Sequence, residues 1–326
     1  MAYDLEFEKP LAELEKKIHA LQRKVDRLKP EERIQLQTLE LELRSRTEEI
    51  YEDLTAWQTV QVARHKDRPY SLDYIKLICD DFFELHGDRS YGDDHAIVAG
   101  TATFEGQTVM LICQQKGRDM KEKQYRNLGM SHPEGYRKAQ RLMRQAEKFK
   151  FPLITFIDTP GASIALPDEE RGQSEAIAAS IYLMFRLRIP IVTAVIGEGC
   201  SGGALAISIA DRILMMEHSY YTVAAPEAAA DILKFGSPYA YLVAEGQRIK
   251  AKDAHAFCIA DEVIPEPLGG AHRDYTQAAE ALKAGLRTHL RELKQIPIED
   301  LLEKRYQKFR TIGHFGRETV AKTAQI

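Results

Sequence analysis

Pro190 to Ala210 reads PIVTAVIGEGCSGGALAISIA. The apolar run Ile191 to Ile196 suits a buried strand, Gly197, Gly199, Gly202 and Gly203 mark a tight passage, and the small apolar residues beyond them suit a helix packed against a sheet. Such a passage brings unpaired backbone N–H groups to a cavity, and the helix dipole makes them electropositive. An anion or a developing oxyanion is the expected occupant. Gly197-x-Gly199-x-x-Gly202 matches the dinucleotide fingerprint, with Glu217 near the position of the ribose-binding acid. The segment before the next apolar run, Ile213 to Met216, is short for a crossover helix, however, and no second nucleotide-binding half follows. Gly199-Cys200-Ser201-Gly202-Gly203 also matches the G-x-S-x-G nucleophile elbow, with His218, His255 and His272 downstream as bases that no spacing singles out. A third chemistry uses the N–H groups of Gly202 and Gly203 as an oxyanion hole without a covalent nucleophile. The plain alternative is that these glycines only let a helix pack close to a sheet.

With 326 residues the chain has enough length for a full core, and 44% hydrophobic with 29% charged residues is the composition of a soluble globular protein. A net charge of -4 gives no general attraction to nucleic acid or anionic membrane, so any basic site is local. The first residues, MAYDLEFEKP, lack the pattern of a signal peptide, and no apolar run approaches the roughly 18 residues of a membrane span. A cytoplasmic location is expected. Cys79, Cys113, Cys200 and Cys258 stand far apart without a C-x-x-C pair, which predicts buried free thiols and neither a zinc ribbon nor a disulfide frame.

Leu11, Leu14, Ile18, Leu21, Val25 and Leu28 alternate spacings of three and four, and Pro30 closes that helix. A second helix carries Leu36, Leu39, Leu43, Ile50, Leu54 and Trp57 on one face. Residues 9–64 therefore read as a helical hairpin, and 1–66 as a docking or capping unit ahead of a main domain at 67–326. Arg64 falls in a polar linker, and Ser71 caps a helix expected to run to about His86. Strands follow at Ala96–Ala99, Thr101–Phe104 and, after the turn at Glu105-Gly106, Thr108–Cys113. Lys116, Arg118, Lys121, Lys123 and Arg126 cluster after this last strand. They suit phosphate or carboxylate groups, or else form a solvated basic loop. A helix from Gly135 to Lys150 and a strand from Pro152 to Asp158 lead to the turn Asp158-Thr-Pro-Gly-Ala162, which presents backbone N–H groups to a cavity. Glu169 opens a helix to about Arg188. Past the glycine turn come strands at Asp211–Glu217 and Tyr220–Ala225, a short helix at Ala228–Phe235, a helix and strand within 253–264, and helices at about 274–292 and 298–311.

Taken in order, the strings RPYSLDYIKL at 68–77, QKGRDMKEK at 115–123, RNLGM at 126–130, PEGYRKAQRLM at 133–143, ITFIDTPGA at 154–162, EERGQSEAIA at 169–178, IGEGCSGGALAI at 196–207 and IPEPLGGAHR at 264–273 resemble the α subunits of bacterial acetyl-CoA carboxylase carboxyltransferase, of the crotonase superfamily. The resemblance spans nearly the whole chain and outranks both short motif matches. It implies an α/β, crotonase-like spiral of ββα units and a catalytic centre shared with a separate β subunit in an α2β2 assembly, the β subunit bringing the only zinc. It implies transfer of a carboxyl group from carboxybiotin, held on a biotin carboxyl carrier protein and charged by a biotin carboxylase, to acetyl-CoA, giving malonyl-CoA for fatty acid synthesis. Gly202 and Gly203 take the catalytic role by holding the biotin ureido oxygen, where a side chain on Gly203 is expected to intrude. Gly161, Ala162, Gly199, Lys116 and Arg118 form the expected substrate-binding set.

Three places depart from the family's pattern. Ser163-Ile-Ala-Leu-Pro-Asp168 stands where a stretch such as YPGVGA is usual, Cys200 replaces a glycine, and Ala225-Pro-Glu-Ala228 replaces S-P-E-G. They leave open a specialised copy with altered inhibitor sensitivity or acyl-CoA preference, a hydrolase or decarboxylase that reuses the acyl-CoA site, and a partner that only assembles.

Overall fold

The structure, a computed structural model, describes residues 3–313. Its helices and strands run, in chain order, α1 (Lys9–Gln22), α2 (Pro30–Glu52), α3 (Ala56–Ala63), α4 (Ser71–Ile78), β1 (Asp80–Glu84), β2 (Ile97–Phe104), β3 (Gln107–Gln114), α5 (Met120–Tyr125), α6 (Pro133–Phe149), β4 (Leu153–Thr159), α7 (Leu166–Glu170), α8 (Gln173–Arg186), β5 (Ile191–Cys200), α9 (Ser201–Leu205), β6 (Arg212–Met216), β7 (Tyr220–Thr222), α10 (Pro226–Ile232), α11 (Ala240–Gln247), α12 (Ala251–Ala256), β8 (Glu262–Ile264), α13 (Tyr275–Leu293) and α14 (Ile298–Thr311). The expected outer limits at residues 1 and 326 lie outside the described residues.

All strands join one sheet in the order β1-β2-β3-β4-β5-β6-β8, with β7 paired to the end of β5. β1, β2 and β3 are antiparallel neighbours, and from β3 onward the pairing is parallel. Both faces of the parallel part are covered, which explains why β4 and β5 read as continuous apolar runs and are buried at every position. Successive residues still alternate between faces. Ile191 and Val195 enter one core with Leu142 and Met143 of α6, whereas Val192, Ala194 and Ile196 enter the other with Leu282 and Leu286 of α13.

Several boundaries move from their sequence expectation. The helix beginning at Ser71 stops at Ile78, and the residues beyond it form β1, which pairs with β2. Gly100 had divided β2 into two expected strands; instead β2 is continuous, and a Cβ at Gly100 would lie 2.1 Å from the Phe83 carbonyl oxygen of β1. The glycine is the site where two backbones approach, not a break. Glu105 and Gly106 both take positive φ, 51° and 74°, as a two-residue hairpin turn between β2 and β3 requires. Leu11, Leu14, Ile18 and Leu28 are buried, but Val25 is 50% exposed, and Ile34 and Leu41 on α2 are exposed too. The second expected helix is divided at Asp53–Thr55, because Thr55 caps α3 by accepting a bond from the Gln58 amide at 3.2 Å. The C-terminal helices fall close to their expected spans, and α11 is an addition. Cys113 and Cys200 are buried as expected, Cys79 is half-buried, and Cys258 is exposed, a correction that follows from its place in the turn after α12.

Candidate active site

Three neighbouring strands carry polar residues at or near their C-terminal ends: Gln114 on β3, Asp158 on β4 and Glu198 on β5, all buried. The two special turns begin there. β4 runs into Pro160-Gly161-Ala162, and β5 runs through Cys200 into the first turn of α9, which holds Gly202 and Gly203. Amides in a first helical turn have no acceptor inside their own helix. Ala162 is half-buried, and Gly161, at φ 148°, has a Cβ direction that meets no atom within 4 Å.

Gly203 is packed between the turns. A Cβ on it would lie 2.4 Å from the Ala162 nitrogen and 2.5 Å from the Gly161 carbonyl carbon. A side chain there strikes the adjoining turn, which corrects the expectation that it would enter ligand space. Gly202 has room, its nearest neighbour being the Ile177 side chain at 3.6 Å. Gln114 joins both turns: its Nε2 donates to the Gly203 carbonyl at 2.8 Å, and its Oε1 accepts from the Asp158 amide at 3.1 Å. Gly197 and Gly199 make room for neighbours, since Cβ atoms there would meet Asp158 Oδ1 at 2.5 Å and the Tyr221 ring at 2.4 Å.

Behind the turns lies a network of charges. Lys116 Nζ sits 2.8 Å from Asp158 Oδ1 and 2.5 Å from Glu198 Oε1. Arg64 Nε sits 2.7 Å from Glu198 Oε2, and the Arg64 guanidinium also meets Glu227 at 2.5 Å. The Tyr220 hydroxyl donates to Glu198 Oε2, and the Glu198 amide donates to Asp158 Oδ1 at 3.0 Å. Burial pushes the Glu198 carboxyl up, but Lys116 and then Arg64 outweigh it and hold the pKa at about 2. Burial opposes the Lys116 ammonium as well, and Asp158 and Glu198 reverse that, keeping it charged. The Asp158 carboxyl is raised, burial exceeding the pull of Lys116. Burial, aided by Glu198, pushes the Cys200 thiol up to about 12, so Cys200 is a packed, protonated side chain and not a reactive thiolate. Cys200 packs with Ala56, Val60 and Ala63 of α3 and with Tyr220.

The expected site residues are thus only partly together. Gly161, Ala162, Gly202 and Gly203 meet at the two turns, and Lys116 stands directly behind them with its charge engaged by internal carboxylates. Arg118 lies apart, bonded to Asp73 at 2.6 Å and stacked 4.7 Å over the Tyr70 ring. Ser201 is exposed and has the strained backbone of a nucleophile elbow, φ 59°, but among the described residues none of the three candidate histidines is bonded to it. His218 packs edge-on against Tyr51, His255 lies 3.1 Å from the Ala260 carbonyl, and His272 stacks on His65 at 3.9 Å. Glu217 accepts from the Glu266 amide at 3.1 Å, and the five-residue α9 is no Rossmann crossover helix. Sequence reasoning missed Arg64, Gln114, Glu198 and Tyr220; for Gln114 and Glu198 the available signal was a polar residue at or near the end of an apolar strand.

The Ser163–Asp168 segment is anchored at one end and open at the other. Asp168 accepts from Ser163 Oγ and lies 2.8 Å from both His132 Nδ1 and an Arg171 nitrogen, whereas Ile164 is 95% and Leu166 68% exposed. Among the described residues no group of three or more His, Cys, Asp or Glu side chains is arranged to hold a metal, and no helix is long and apolar enough to cross a membrane.

The family model described as acetyl co-enzyme A carboxylase carboxyltransferase-like matches residues 4–313. The chain belongs to this family. It is 51% identical over 314 residues to the acetyl-coenzyme A carboxylase carboxyl transferase subunit alpha of Geobacter metallireducens, a match that covers 96% of this chain and 98% of that one. To the proteins of the same name from Halorhodospira halophila and Staphylococcus saprophyticus it is 52% and 50% identical, each match covering 95% of this chain and 97% and 99% of the relative. Solved structures share the fold. A Pseudomonas malonate decarboxylase hetero-tetramer in complex with coenzyme A superposes with a TM-score of 0.55 at 17% identity, over 66% of this chain and 86% of that one. The β subunit of geranyl-CoA carboxylase from P. aeruginosa gives 0.54 at 16% identity, over 78% and 45%. The transcarboxylase 12S core gives 0.53 at 19% identity, over 67% and 41%. The α/β, crotonase-like class expected from the resemblance is the class observed.

Proposed function

We propose that this chain is the α half of a biotin-dependent carboxyltransferase that forms malonyl-CoA from acetyl-CoA, acting in the cytoplasm with a β subunit in an α2β2 assembly and served by a biotin carboxyl carrier protein and a biotin carboxylase. The single observation that carries the reading is the pair of turns at the ends of β4 and β5, locked together by Gln114 and backed by the Lys116 network. When bound, carboxybiotin would supply the carboxyl group, and its ureido group, left with negative charge, would take up the α-proton that acetyl-CoA gives up. The Gly202 and Gly203 amides stabilise that charge as fixed donors. The open side of Gly161 fits an incoming planar group, because no side chain fills it. Ala162 lines the same opening, while Lys116 acts on the site through Asp158 and Glu198. Gly199 serves by its small size, and Arg118 is left for a more distant part of the acyl-CoA. Residues 1–66 dock on or cap the carboxyltransferase domain at 67–326, with any zinc confined to the β subunit.

The exposed apolar surface of α10 and α11, a groove of about 760 Å³ lined by Leu233, Phe235, Tyr239 and Leu242, supports a chain that works with a partner. No observation favours the hydrolase reading, since none of the three candidate histidines contacts Ser201. The test is to purify the chain with and without its host's β subunit and measure malonyl-CoA formation from carboxybiotin and acetyl-CoA. Activity is expected only for the pair. Strong transfer by the chain alone, or none by the pair, overturns the proposal.

A further inference from the structure

Arg64 stands where three separated parts of the chain meet. It follows α3, whose Ala56, Val60 and Ala63 pack on Cys200 and Tyr220, and whose first amide, on Ala56, donates to Glu245 of α11 at 2.5 Å. Its guanidinium is shared between Glu198, two residues before the end of β5, and Glu227 in the first turn of α10, with the Tyr220 hydroxyl 3.2 Å from its NH2. Glu198 is buried and is faced by Lys116 from beyond β3, Asp158 from β4, Cys200 from its own strand, Tyr220 from β7 and Arg64. Only Lys116 and Arg64 are cations, and Lys116 is shared with Asp158. Removing Arg64 leaves two carboxylates on one ammonium, a state that a buried site relieves by protonating an acid.

We propose that Arg64 is a positioning residue for carboxyl transfer: by pairing with Glu198 and Glu227 together, it holds β5, the N-terminal helices and α10 in one arrangement. The inference rests on the carboxyltransferase reading and adds to it that the N-terminal helices take part in the activity instead of only covering the domain. Glu227 lies within the Ala225–Ala228 segment, which therefore holds one of the two carboxylates that Arg64 uses.

The experiment uses the full chain co-purified with the β subunit, and measures kcat and KM for acetyl-CoA from pH 5.5 to 9 for the wild type, Arg64→Met, Arg64→Lys, Glu227→Gln and the Arg64→Met/Glu198→Gln double variant. Arg64→Met is expected to lower kcat at least tenfold with KM within about twofold. It should also show an acidic limb absent from the wild type. Arg64→Lys should restore most of kcat, and Glu198→Gln in the double variant should abolish the limb. An Arg64→Met profile parallel to the wild type and within twofold of it overturns the inference, as does an acidic limb that persists in the double variant. If Arg64→Met does not fold, Glu227→Gln decides: kcat down threefold or more at an unchanged melting temperature supports the inference, and unchanged kcat overturns it. A wild-type pair without carboxyl transfer is a different result, and refutes the functional reading itself.

Discussion

The ends of β3, β4 and β5 and the surface of α10 and α11 lie on either side of Arg64, and they are built in opposite ways. At the strand ends Gln114, Asp158 and Glu198 are all buried and bonded, and Gly203 has no room for even a methyl group. Across Glu227, Ile232 is 72%, Phe235 60% and Leu242 56% exposed. Donors that stabilise developing charge act best when they need not reorganise, whereas contiguous exposed apolar groups mark surfaces that meet something else. On the proposed reading, the chain fixes the place where charge would develop and leaves open a surface that a partner would cover.

The sharpest way to break this comparison is Gly203→Val against Gly202→Ala. The first should cost a hundredfold or more in carboxyl transfer, because one well-aimed donor is worth on the order of 3 kcal/mol and the new side chain displaces the Gly161-Ala162 turn. The second, with space beside Ile177, should stay within about fivefold. Steady-state kinetics on the β-bound variants decides, and equal losses would mean that the two turns are not clamped.

Lys116→Met should act on stability on a comparable scale. It leaves Asp158 and Glu198 buried side by side without their shared cation, an arrangement that costs about 3–5 kcal/mol. Urea unfolding at pH 7 measures it, and a loss under about 1 kcal/mol would show that the network is poorly coupled.

His272 gives a smaller, pH-dependent effect. The ring is fully buried with no hydrogen-bond partner for either nitrogen, and burial, then the nearby charges of His65, Arg273 and Arg68, lower its pKa to about 2 against a slight opposing pull from Glu266. Its folded value lies below its free value, so its contribution is complete above about pH 6.5 and declines as pH falls toward 2. At about 1.4 kcal/mol per pH unit, roughly 2 kcal/mol is lost by pH 5. His272→Phe should remove that slope from the urea midpoints, and an unchanged slope would assign it elsewhere.

The smallest effect is expected at Ser201. Ser201→Ala leaves the backbone donors in place, and turnover should remain within about tenfold. Abolished turnover would make Ser201 a nucleophile and end the oxyanion assignment of this turn.

Much of this architecture was legible along the chain. The β-branched run before Gly197 and the Glu105-Gly106 pair located β5 and the β2–β3 hairpin, because a buried strand and a two-residue turn each impose a local pattern. β1 was not legible: DDFFE has no strand alternation, and it becomes a strand because β2 offers an edge and Gly100 lets it approach. Gly202 and Gly203 stand out by their spacing, and the fold puts them in the first turn of α9. Arg64 does not stand out, since it reads as part of a polar linker and its partner Glu198 lies 134 residues away, a separation that leaves no periodicity. Lys116 was noticed for its charge, but only the fold shows that this charge is already matched.

Arg305 of α14 is wholly buried, donating to both oxygens of Asp211 and to the carbonyls of Met184, Leu187 and Ile189. Asp211 stands just before β6, and its Oδ2 accepts from the amide of Ile191 that begins β5. The strand that leads into the Gly202-Gly203 turn is therefore seated by a residue 94 positions after its carboxylate partner. A nascent chain that has not yet delivered Arg305 holds Asp211 as an acid without that cation, so β5 and β6 gain their final seating only once α14 has been made.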